Sequence, residues 1–194
     1  MKWIVAAILV FAAGYTAVNF YFRKPGPAYR PYQDAQDRAT TSRLLAAGWS
    51  KLPVDDRRPA EKPPAGEASA PVTRGAVGLG LDLDPNFAEK PKLPGSIDRV
   101  TAPATVSAGA DYTLYFTVGL ANPKAQVGDV SLYRRGHDVV LVPNLEPLPG
   151  QELMNRWKDD EHAATFSTAS LPPGRYTARI VANGPCATWS FVVQ

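Results

Sequence analysis

Tyr112, Leu114, Phe116, Val118 and Leu120 alternate with Thr113, Tyr115, Thr117 and Gly119. A strict period of two over nine residues sends one set of side chains to each face of a strand. One face is therefore buried and the other meets solvent, which a helix cannot reproduce. The same texture continues from residue 97 to the end, broken by turn residues every 8–12 positions or so. Expected strands lie at 97–101 with 104–106 (split by Pro103), 112–120, 127–133, 139–142, 162–167, 176–182 and 189–193. Arg134-Arg135-Gly136 reads as the hairpin between the third and fourth. About seven strands in roughly 98 residues is the size of an immunoglobulin-like or fibronectin-like β-sandwich. The expected fold class is therefore all-β, with residues 97–194 as the sandwich domain.

Within it, Leu171-Pro-Pro-Gly-Arg-Tyr176 matches the Leu-x-x-Gly-x-Tyr pattern of a tyrosine corner, in which a hydroxyl ties the turn to upstream backbone. Gly174 and Tyr176 are accordingly structural candidates, with Phe116 and Trp189 as core aromatics. Cys186 is the only cysteine, so an internal disulfide and a multi-cysteine metal site are excluded.

Before the sandwich, 19 prolines in the whole chain crowd towards the middle, eight of them in residues 51–96. With few large apolar side chains there to offset ordering entropy, the stretch reads as a flexible tether. Residues 25–50 contain one short helix, led by Pro31, Asp34 and Asp37 and closed by Gly48 as a left-handed cap. Residues 3–22 carry no charge, and about 20 residues at about 1.5 Å each cross a hydrocarbon core of about 30 Å. Trp3 and Tyr21 suit the two interfaces, and Arg23 and Lys24 close the segment. Residues 1–24 are thus expected as a transmembrane signal anchor. A signal peptide cleaved after Ala12-Ala13-Gly14 is the alternative. Arg23, Lys24 and Arg30 against Lys2 lean towards a cytoplasmic body, whereas sandwich domains behind one anchor more often face outward.

Candidate chemistry is sparse. His137 sits in a turn, and His162 closes the acidic run Asp159-Asp160-Glu161, where a solvated and partnered histidine is expected. A metal site from His137, Glu161 and His162 would need distant strands to converge. Met154 and Cys186 are the soft ligands for copper, without paired spacing. Gly75-Ala-Val-Gly-Leu-Gly lacks the context of a phosphate loop, and Asp82-Leu-Asp-Pro-Asn lacks the glycine and glutamate of a calcium loop. No nucleophile sits on an elbow. No catalytic, cofactor-binding or metal residue is assigned. A net charge of +3 without a like-charge block excludes a nucleic-acid surface.

The layout of membrane helix, tether helix and sandwich resembles FixH-type cytochrome oxidase accessory proteins. The tail Phe166…Leu171-Pro-Pro-Gly-Arg-Tyr176…Gly184…Trp189 is similar to their closing strands. The resemblance implies a non-enzymatic accessory protein of the bacterial inner membrane, with a periplasmic domain, beside an integral-membrane partner such as an oxidase under assembly. The alternative is a tethered ligand- or metal-binding module using its end loops, residues 143–161 being the longest.

Overall fold

The computed structural model describes residues 2–22, 31–58, 69–148 and 159–194. They divide into two units, Met1–Ala35 and Gln36–Gln194.

The first unit contains helix α1 (Lys2–Phe22). Among the described residues, no helix is long and apolar enough to cross a membrane, which corrects the transmembrane expectation for residues 3–22. Absence of charge had stood in for apolarity. The uninterrupted apolar stretch ends at Ala13, and Gly14, Tyr15, Thr16 and Asn19 follow. About eleven residues reach about 17 Å, roughly half of a hydrocarbon core. Thr16 Oγ1 donates to Ala12 O at 2.7 Å, inside the helix. Trp3 and Tyr21 are exposed; Arg23 and Lys24 lie outside the described residues. The bilayer contact, the integral-membrane partner, the oxidase-assembly role and the inner-membrane location all rested on that span and lose their basis with it.

The second unit takes in helix α2 (Pro31–Ala46) from Gln36 onward and two open sheets. The strands are β1 (Ser50–Leu52), β2 (Asp55–Arg57), β3 (Thr73–Val77), β4 (Ser96–Thr101), β5 (Thr105–Val106), β6 (Asp111–Gly119), β7 (Ala125–Arg135), β8 (Asp138–Pro147), β9 (Asp159–Ser167), β10 (Gly174–Ile180) and β11 (Pro185–Val193). The larger sheet runs β1-β7-β8-β10-β11-β3, with β5 also on β11; the smaller runs β2-β9-β6-β4. The pairing is antiparallel except for β8 with β10 and β5 with β11. This is a mixed α/β fold, and the all-β, immunoglobulin-like expectation of about seven strands is corrected. Strands β4 to β11 occupy the segments where alternation places them. The difference comes from the helices and from residues 51–96, where β1, β2 and β3 join the sheets in the stretch expected to be a tether.

Proline still shapes that stretch. Pro53 cannot donate to a ladder and ends β1, and Pro53-Val54 carries the chain from the larger sheet into the smaller one. Leu52 and Val54 pack against the core as they cross. On the far side, the Arg74 guanidinium of β3 donates to the Ile97 and Asp98 carbonyls of β4, joining the two sheets' edges.

Leu114, Phe116 and Val118 of the smaller sheet meet Leu132, Leu141, Ala178 and Phe191 of the larger one in a single core. Its aromatic rings are ordered by their polar tips. Trp189 Nε1 donates to Tyr112 Oη at 3.0 Å, and Tyr112 Oη donates to Pro103 O at 2.8 Å. Burial raises the Tyr112 hydroxyl above its ordinary range, despite the indole bond, so it remains a donor. A second apolar cluster lies on the other face of the larger sheet, where Leu44, Trp49, Leu79, Leu83 and Leu93 cover Tyr133, Val140, Val142 and Cys186. Strand β8 is therefore buried on both faces, which its unbroken Val139-Val-Leu-Val142 run requires.

Candidate functional site: an ionic quartet

Successive residues of β9 point to opposite faces, so Asp160 and His162 share the inward side with Ala164 and Phe166. His162 is 3% and Asp160 5% exposed. This corrects the expectation of a solvated loop histidine. The imidazole stacks on Phe116, its register partner in β6, with centroids 5.6 Å apart and planes at 22°. Nδ1 donates to Asp56 of β2, 3.1 Å from each carboxylate oxygen. Nε2 lies 3.3 Å from Asp160 Oδ2, within ion-pair range but too poorly aligned for a hydrogen bond. Asp160 is itself gripped by Arg58, Nε to Oδ1 and Nη2 to Oδ2, both at 3.0 Å. The Val127 amide of β7 approaches the same Oδ2 at 3.5 Å.

Two carboxylates, one guanidinium and one imidazolium sum to zero. A neutral imidazole would leave a net negative charge in a site largely closed to water, at high cost. Burial alone pulls the His162 pKa down. The close polar contact with Asp160, the hydrogen bond to Asp56 and the charges of both carboxylates outweigh burial and raise it to about 9. For Asp160, burial works upward, but the close contact with His162 and its charge, and then the pairing with Arg58, hold it below the usual carboxylate range.

A histidine whose folded pKa exceeds the unfolded value contributes stability fully below about pH 6.5 and loses it as pH rises through about 9. Raising the pH from 6 to 10 is therefore expected to cost stability on the order of 3 kcal/mol. Urea titrations at the two pH values measure it, and a His162→Gln variant is expected to lose most of that dependence.

At neutral pH this imidazole has no lone pair for a proton or a metal. His137 is elsewhere, its ring 5.0 Å from that of Tyr176 in the larger sheet. Glu161 points to the opposite face of β9 from His162. The proposed trio does not converge, and among the described residues no group of three or more histidine, cysteine or acidic side chains could hold a metal. Cys186 is buried, with Sγ donating to Gly78 O at 3.4 Å. Of the expected end loop at 143–161, residues 143–147 belong to β8 and 159–161 to β9, while Met154 and the rest of 149–158 lie outside the described residues. Asp82 is paired with Arg135 at 2.8 Å and Asp84 with Lys90 at 2.7 Å, around the short 3₁₀ turn Asp84–Asn86. Gly75 lies within β3, opposite Cys186, and not in a phosphate loop.

Of the structural candidates, Tyr176 Oη donates to Pro172 O at 2.7 Å. Gly174 has φ +151°, and a Cβ there would sit 3.3 Å from His137 Nε2. Trp189 is the indole bonded to Tyr112, and Phe116 is the floor of the quartet. Asp56 and Arg58 were not anticipated. The available signal was the run Asp55-Asp56-Arg57-Arg58, whose two signs mirror a histidine and an aspartate facing inward on a strand. The chain matches no protein-family model, no curated protein and no solved structure, so the FixH-type resemblance rests on the pattern of residues 166–189 alone.

Proposed function

We propose that residues 36–194 work without chemistry of their own, as a non-catalytic module whose contribution is a shaped, charge-balanced surface. The observation that carries this reading is the state of His162, held as an imidazolium between two carboxylates. A general base must be neutral near the working pH, and this one is not. The arginines support the reading: Arg134 binds the Gly136 and Ser170 carbonyls, Arg179 binds Leu79 O, and Arg135 pairs with Asp82. These guanidiniums hold loops onto strands.

Nitrogen NMR of the two imidazoles tests the proposal. Both His162 ring nitrogens are expected to report the doubly protonated form from pH 6 to pH 8. A midpoint near 6.5, with a neutral tautomer at pH 7.5, would make His162 available as a base and overturn the reading.

A further inference from the structure

Beyond Val54, which packs on the core just before it, strand β2 has little to hold it apart from charge. Its three residues are Asp55, Asp56 and Arg57, with three register partners in β9. None is apolar. Outside the sheet, Arg57 pairs with Asp55 at 3.1 Å, both well exposed, and such pairs contribute little. On the inner side, Asp56 reaches His162 and Arg58 reaches Asp160. By contrast, β9 has nine register partners in β6 on its other edge and sets Ala164 and Phe166 into the core.

We propose that the quartet is an ionic clasp, which holds β2 against β9 and, once the His162 cation is lost, frees β2 and bares the edge of β9 while the rest of the sheet stays folded. The groups facing the imidazole are Asp56 from β2, Asp160 from its own strand and the Phe116 ring from β6. Arg58 and the Val127 amide of β7 reach it only through Asp160. Glu161 is on the far face of β9. Without the cation, the two carboxylates face each other with Arg58 alone to balance them. Detaching β2 returns Asp56 to water, where Arg58 already largely lies, and opens one side of Asp160, at the loss of three ladder positions. That release also sets an upper limit on the alkaline loss of global stability. A bared edge presents unpaired backbone groups to any further strand.

Trypsin reads the clasp directly, because Arg57–Arg58 is cleavable and Arg58–Pro59 is resistant by its proline. A protease needs several residues in extended, unpaired form, so cleavage follows local opening. In the full chain at pH 7.5, His162→Gln and Asp56→Asn are each expected to speed cleavage at Arg57–Arg58 at least tenfold. Cleavage after Arg99 in β4 and Arg175 in β10, and hydrogen-exchange protection of β6, are expected to match wild type. Raising the pH to 9.5 should speed the same cut in wild type, relative to a small-peptide substrate, and leave His162→Gln unchanged. Unaltered cleavage at Arg57–Arg58 in both variants overturns the proposal. So does equal acceleration at Arg99 and Arg175, or failure of both variants to fold, since each makes the quartet part of the global core.

Discussion

Trp49→Ala is expected to destabilise the second unit by about 3–5 kcal/mol, the range for removing a large buried aromatic. The reason begins in the sequence at Gly48, which takes φ +81°. Its amide donates to Leu45 O at 3.0 Å and that of Trp49 to Leu44 O at 2.8 Å, the paired bonds of a Schellman cap. The cap turns the chain so that Trp49, 1% exposed, enters the cluster with Leu44, Leu79, Leu83 and Tyr133. The Arg135 guanidinium lies over the indole, 4.5 Å from its centroid, and pairs beyond it with Asp82. Alanine removes the contact that α2, residues 79–93 and β7 share. Trp49→Phe separates packing from polarity. Among the described residues indole Nε1 is buried without a hydrogen-bond partner, a cost of about 1–3 kcal/mol in the parent. Phenylalanine removes that cost while leaving a smaller void, so its net loss is expected below about 1.5 kcal/mol. Urea midpoints of the three proteins decide it. A wild-type midpoint for the alanine variant would mean that the outer layer contributes nothing.

The same layer explains what was hard to read beforehand. Strand β6 was plain because one face is wet, so its burial alternates residue by residue from Asp111 to Gly119. The unbroken run in β8 is itself a sign of burial on two faces, but nothing local says what supplies the second cover. Leu44, Trp49 and Leu83 lie some 55–100 residues away in sequence. Strands β1 and β2 are three residues each, too short for a period of two to register, and proline separates them. Their partners lie in β7 and β9, about a hundred residues on. The quartet was hidden for a related reason. Its two halves are each charged and each, taken alone, suited to solvent, and only their pairing across strands offsets the cost of burial. Helix α1 departs from expectation for a simpler one: tyrosine, threonine and asparagine carry no charge, yet they interrupt an apolar run.

Tyr176→Ala is expected to cost about 3–5 kcal/mol, and Tyr176→Phe far less, which separates the ring from its hydroxyl. The ring is fully buried. It stacks on Phe191 at 5.4 Å and 20°, and its other neighbour, His137, meets it at a tilt, 5.0 Å away and 47° between planes. Phe191 in turn stacks on Tyr112 at 4.4 Å, so the ring ends a row that reaches the middle of the core. Alanine opens a cavity at the end of that row and frees the β7–β8 hairpin, where His137 sits. The hydroxyl's role is narrower. Its acceptor, Pro172 O, belongs to an exposed residue, so water can replace the lost donor in the phenylalanine variant. A bond exchanged for water contributes only about 0.5–1.5 kcal/mol net. Set against a domain stability of about 5–15 kcal/mol, phenylalanine should shift the urea midpoint modestly, and alanine should bring the chain close to unfolding at 37 °C. Equal midpoints for the two variants would place the whole contribution in the hydroxyl bond and remove the ring from the core's account.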